Sequence, residues 1–160
     1  MELSFLKHTI DLDGARASDG DAKGDVLNDI EGLIGSQFGD RLFGNADKNR
    51  LDGGSGNDAL DGGDELRGGA GNDKLWGGSG ADRFVFKNGF GNDRICDFQR
   101  NVSGEKIDLS DVDAITGFQD LTRNPLRNSG DDVVILDGDG STIRLVGLHK
   151  SDLSSDDFIF

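Results

Sequence analysis

The sequence predicts an all-β chain wound into a right-handed parallel β-roll, with an N-terminal cap and a C-terminal hairpin cap. Three observations carry the prediction. Large apolar residues recur at Leu33, Leu42, Leu51, Leu60, Leu66, Leu75 and Phe84, in steps of nine residues with a single step of six. Glycine gathers around them: of 26 in the chain, eleven fall between Gly53 and Gly80. Aspartate or asparagine stands two residues before six of those seven apolar positions. A fixed short period of this kind is the signature of a solenoid whose repeats stack on one another.

Composition narrows the function before any motif does. At 160 residues and 17.0 kDa the chain is one domain long. Its 17 Lys and Arg against 31 Asp and Glu give a formal charge of −14, and the resulting field repels phosphate, so a nucleic-acid partner is excluded. One cysteine, Cys96, allows no intrachain disulfide, and two histidines, His8 and His149, are too few for a Cys/His zinc site. The opening stretch MELSFLKHTIDLDG has no leader-like apolar run, and no segment reaches the roughly 18 apolar residues of a membrane span. Export by a route other than a cleaved leader is the expectation.

Residues 1–34 are expected to cap the first coil, with Ile10, Leu12, Leu27, Ile30 and Leu33 covering it, because terminal solenoid coils need lids. Residues 35–98 hold the repeat. Three units follow GGxGxDxUx in full, U being the large apolar residue: GGSGNDALD from Gly53, GGAGNDKLW from Gly68 and GGSGADRFV from Gly77. Each reads as a six-residue turn and a three-residue strand. Glycine permits the positive φ that so tight a turn demands, and in the strand U points inward while its neighbours point out. Two such units make one coil, so the loops stack in two columns. One carries Asp40, Asp58 and Asp73; the other carries Asn49, Asp64 and Asp82.

Carboxylates stacked at one height repel each other unless a cation lies between the loops. Ca²⁺ fits best, since it takes six to eight oxygens at about 2.3–2.6 Å and glycine loops expose backbone carbonyls; Mg²⁺ keeps its water and demands a stricter octahedron. The expected ligand set is Asp40, Asp58, Asp73, Asp82 and Asp93, with the loop glycines Gly53, Gly54, Gly56, Gly68, Gly69, Gly71, Gly77, Gly78 and Gly80, for about four ions. Three loops depart from the pattern, and the sequence leaves metal there open: Asn49 replaces Asp, the Gly62 loop is three residues short, and the Gly35 loop lacks its second glycine.

With those residues in view, the chain resembles RTX calcium-binding modules. It is similar to the R-modules of mannuronan C5-epimerases and to the C-terminal domains of serralysin-type secreted proteins. GADRFVF from Gly80, GNDRICDF from Gly91, EKIDLSD from Glu105 and the terminal DDFIF resemble the closing part of such modules. The resemblance implies secretion through a type I apparatus, an extracellular location, and a catalytic domain covalently attached in a parent protein.

Residues 99–160 are expected to close the other mouth with Phe98, Ile107, Leu109, Phe118 and the Phe158–Phe160 end. Within them, VVIL (133–136) and TIRLV (142–146) flank DGDGS as a hairpin. An EF-hand loop starting at Asp137 is ruled out, because Leu148 stands where its twelfth-position Glu belongs. Nothing reads as catalytic: GxSxG and HExxH are absent, and paired carboxylates at a metal do not separate into an acid and a base. The residue before U is outward and often basic, giving Arg41, Arg50, Lys74, Arg83 and Arg94. By alternate counting, Arg41, Lys74 and Arg94 share one sheet and Arg50 and Arg83 the other. Such a ladder suits a polyanion such as a polyuronate of the alginate kind; simple charge balance beside the aspartates is the competing reading. The expected function is therefore a noncatalytic calcium-folded module that supports secretion and assists binding of an anionic polysaccharide for an attached epimerase-type enzyme. The alternatives are a pure secretion and folding module of another secreted RTX protein, or a stand-alone calcium-dependent extracellular protein.

Overall fold

Alternate repeats feed alternate sheets. In the computed structural model, which describes residues 8–13, 16, 17, 27, 29–123 and 126–160, the strands in chain order are β1 (Thr9–Asp11), β2 (Arg16–Ala17), β3 (Gly32–Ile34), β4 (Arg41–Phe43), β5 (Arg50–Ser55), β6 (Ala59–Asp61), β7 (Glu65–Ala70), β8 (Lys74–Trp76), β9 (Arg83–Lys87), β10 (Asn92–Ile95) and β11 (Lys106–Asp111). A short helix α1 (Phe118–Arg123) follows, then β12 (Leu126–Ser129), β13 (Asp132–Leu136), β14 (Thr142–Leu145) and β15 (Phe158–Ile159). One sheet runs β12-β13-β14-β10-β8-β6-β4-β1-β2 and the other β15-β11-β9-β7-β5-β3. The remaining residues of the expected N-terminal cap (1–7, 14, 15, 18–26 and 28) lie outside the described residues.

The nine-residue period sets the register. Ile10, Leu42, Leu60, Leu75, Ile95 and Leu145 stand opposite one another across parallel strands of the first sheet. Leu33, Leu51, Leu66, Phe84, Ile107 and Phe158 do the same in the second. All of these except Phe158 are fully buried. The core is thus two facing ladders of single large side chains, each worth about 1.5–3 kcal/mol of transfer free energy. Glycine contributes none, so the core is thin for its length.

Two details differ from the sequence expectation. Strands β5 and β7 run to six residues instead of three, because the ladder continues into the loops with Gly54 opposite Gly69 and Ser55 opposite Ala70. The hairpin also does more than close a mouth: β14 pairs in parallel with β10 and so forms the next rung of the first sheet. At the C-terminal end, aromatic pairs join the core, with ring centroids 6.1 Å apart for Phe84 and Phe98 and 5.9 Å for Phe118 and Phe158.

Candidate calcium column and cationic face

The three full repeats use their glycines in two different ways. At the second and fourth positions φ is positive: 93° and 114° at Gly54 and Gly56, 101° and 147° at Gly69 and Gly71, 82° and 126° at Gly78 and Gly80. At the first position the need is space. A Cβ on Gly53, Gly68 or Gly77 would run into the carboxylate of Asp58, Asp73 or Asp82 of the same loop.

Those carboxylates form two columns, as the repeat implies. The N–H of Asp40 donates to Oδ1 of Asp58 at 2.7 Å, that of Asp58 to Asp73 at 2.8 Å, and that of Asp73 to Asp93 at 2.9 Å. His8 begins this column, its N–H donating to Oδ1 of Asp40 at 2.6 Å. In the second column the N–H of Asn49 donates to Asp64 at 2.9 Å, and that of Asp82 donates to Oε2 of Glu105 at 2.9 Å.

Asp58, Asp73 and Asp93 therefore each spend one oxygen on the coil before them and have the other left over. Oδ2 of Asp58, Asp73, Asp82 and Asp93 is buried with no hydrogen-bond partner, although these residues are only 1–2% exposed. A buried carboxylate oxygen without a partner costs several kcal/mol unless protonated or bound to a cation. Burial accordingly pushes these acids up from the usual carboxylate range: to about 7 for Asp58, about 6 for Asp73, about 7 for Asp82 and about 8 for Asp93. Burial is the largest cause in each, and neighbouring carboxylates push Asp58, Asp82 and Asp93 further. Among the described residues no three acidic, His or Cys side chains converge on one point. A cation here must complete its shell from backbone carbonyls, which suits the hard, flexible coordination of Ca²⁺. The donor set fits that ion.

The departing loops differ physically. In the Gly35 loop Ser36 takes the second-glycine position and satisfies Oδ2 of Asp40 with its N–H at 2.6 Å and its hydroxyl at 2.9 Å. Asn49 accepts from the N–H of Asn45 at 2.6 Å and presents a buried, unpartnered Nδ2, a donor that repels a cation. Sequence reading missed Glu105, which ends the second column. The signal was available: Glu105 precedes buried Ile107 by two residues, the same acid-to-U spacing as in the repeats.

The outward basic residues fall where alternate counting placed them. Arg41, Ala59, Lys74 and Arg94 align across β4, β6, β8 and β10, and Arg50, Glu65 and Arg83 across β5, β7 and β9. Their surroundings differ. Arg50 pairs with Glu65 at 3.3 Å and Arg83 is tightly paired with Asp108, so these two cations of the second sheet are each matched by an acid. Among the described residues no carboxylate lies within ion-pair distance of Arg41, Lys74 or Arg94, and all three are exposed. A groove of about 290 Å³ beside Arg41 and Lys74 is lined also by Phe43, Ala59, Asp61 and Trp76.

A roll of glycine-turned loops with two stacked acid columns is a β-solenoid whose donors suit a hard, oxygen-loving cation. Residues 34–65 and 60–95 match the RTX calcium-binding nonapeptide repeat, described as four copies. Among solved structures, the extracellular lipase LipA from Serratia marcescens is similar, with a TM-score of 0.70, 24% identity, and 91% of this chain covered. That likeness is one of fold, and the match covers 23% of the lipase chain. The AlgE6R3 subunit of the Azotobacter vinelandii mannuronan C5-epimerase matches at 28% identity, with a TM-score of 0.38, over 85% of this chain and 82% of that one. No curated protein matches the chain. Among the described residues no helix is long and apolar enough to cross a membrane.

Proposed function

We propose that this chain is a noncatalytic module that folds when extracellular calcium fills its acid columns, and that its first sheet then binds an anionic polysaccharide of the alginate kind. The carrying observation is the set of four buried, unpartnered Oδ2 atoms on Asp58, Asp73, Asp82 and Asp93. About four ions would sit against these oxygens and the carbonyls of the adjoining glycine loops, supplying the positive charge that the stacked carboxylates lack. The module would be unfolded in a calcium-poor cytoplasm, pass a type I secretion apparatus as an open chain, and close outside the cell. An attached catalytic domain of epimerase type would use it to hold substrate.

The polysaccharide part rests on Arg41, Lys74 and Arg94, none of which has a carboxylate within ion-pair distance among the described residues, the first two lining a groove with Phe43 and Trp76. Cations alongside an aromatic face suit a carboxylated sugar ring. The pure secretion and folding module is the second reading, favoured by the second sheet, where Glu65 and Asp108 neutralise Arg50 and Arg83. Titrating oligouronates into the calcium-loaded protein separates them. Amide shifts confined to β4, β8 and β10 support polysaccharide binding; no shifts leave the folding module alone standing.

A further inference from the structure

The outward rows of the first sheet outlast its aspartate column. Across β10 and β14, Asn92 stands opposite Thr142, Asp93 opposite Ile143 and Arg94 opposite Arg144. Ile143 is fully buried, so the column of acids ends at Asp93. The rows on either side go on. The N–H of Asn72 donates to Oδ1 of Asn57 at 2.9 Å, the N–H of Asn92 to Oδ1 of Asn72 at 3.1 Å, and the hydroxyl of Thr142 to Oδ1 of Asn92 at 2.8 Å. The row of cations likewise passes from Arg94 to Arg144.

Balance of the acid column accounts for the cations beside it but not for a cation one rung further on, where the acid is Asp132 of the hairpin itself. Arg144 is that cation. Its guanidinium donates to Asp132 at 2.9 Å, and Asp132 also accepts the N–H of Gly147 at 2.9 Å. Such a half-buried pair still adds only modest stability. It does fix where the guanidinium lies, and a guanidinium has five N–H donors, so several remain for a ligand.

We propose that the C-terminal hairpin is part of the polyanion-binding track, an inference that rests on the polysaccharide reading above. A linear polymer carrying both carboxylates and hydroxyls lies along the roll axis, across the strands, from Arg41 to Arg144. Four strand steps of about 4.8 Å make a track of about 19 Å. Arg41, Lys74, Arg94 and Arg144 meet carboxylates, while the exposed asparagine row beside them offers amide groups to hydroxyls.

The test measures the affinity of the calcium-saturated full chain for carboxylated oligosaccharides of increasing length. Two hairpin variants are compared with the wild type: R144Q, which removes a cation, and V134K, which adds one on the next strand opposite Arg144. Wild-type affinity is expected to rise with length until about 19 Å is covered. R144Q then weakens long oligomers by up to about fivefold and leaves short ones unchanged, while V134K strengthens only the long ones. The proposal stands if either folded variant shows this length-dependent shift. It falls if neither does, or if the shift is equal at every length. Absence of wild-type binding at any length instead overturns the polysaccharide reading itself.

Discussion

Removing calcium should make this protein gain structure as the solution is acidified, the reverse of ordinary acid denaturation. The perturbation is a chelator titration carried from pH 8.5 to pH 5. In the metal-free fold, burial raises Asp58, Asp73, Asp82 and Asp93 to about 7, 6, 7 and 8, against 3.8 in an unfolded chain. A raised acid means that the folded state holds more protons than the unfolded state between those values. Stability then falls as pH rises through the window. The penalty is fully present above about 8 and fades toward 4. Counting only about one unit for each aspartate, at about 1.4 kcal/mol per unit, gives about 5–6 kcal/mol for the four. That is the size of a whole domain's stability. Calcium at ten times its dissociation constant contributes about 1.4 kcal/mol per site, or about 6 kcal/mol for four sites, which offsets the penalty. Far-ultraviolet circular dichroism with thermal melting reads the outcome. Chelated protein should be largely unfolded near pH 8 and increasingly β-rich toward pH 5.5, and the calcium-loaded protein folded throughout. A chelated protein whose melting temperature is flat or rises with pH between 5.5 and 8 would refute the reasoning.

Further outcomes follow from single side chains. Leu60, fully buried between Leu42 and Leu75, should cost about 2–5 kcal/mol when changed to alanine in the calcium-loaded state, read by urea denaturation. Asn49→Asp replaces the buried, unpartnered Nδ2 with a carboxylate oxygen; it should destabilise the chelated protein, stabilise the loaded one and raise the calcium count by native mass spectrometry, and an unchanged count contradicts it. Ala59 is the gap in the row between Arg41 and Lys74, so A59K should tighten oligouronate binding by up to about fivefold and K74A weaken it by a similar factor. Isothermal titration with no change in either variant would return the row to charge balance.

The repeat was legible because its physics is local. A nine-residue period fixes which side chain faces in, and every U position from Leu33 to Phe84 is fully buried. The same period placed the aspartates in two columns, because position six ends the turn two residues before U. What stayed hidden depends on partners far apart in the chain. Thr142 reaches Asn92 across 50 residues with no spacing to announce it, and Glu105, which reaches Asp82 across 23, shares the acid-to-U spacing but stands outside the nine-residue register. The satisfaction of Asp40 by Ser36 is local, yet visible only once the loop geometry brings hydroxyl and carboxylate to 2.9 Å. The neutralisation of Arg50 and Arg83 also escaped the sequence. Glu65 belongs to the truncated loop and Asp108 to the segment beyond the repeats, so only the register shows that they oppose cations.

Anomalous diffraction from crystals grown in saturating calcium tests the central claim most directly. The account predicts ions within about 2.3–2.6 Å of Oδ2 of Asp58, Asp73, Asp82 and Asp93, each also contacting glycine-loop carbonyls. An ordered roll in which these oxygens instead meet water or a neighbouring donor, with no ion beside them, would contradict it.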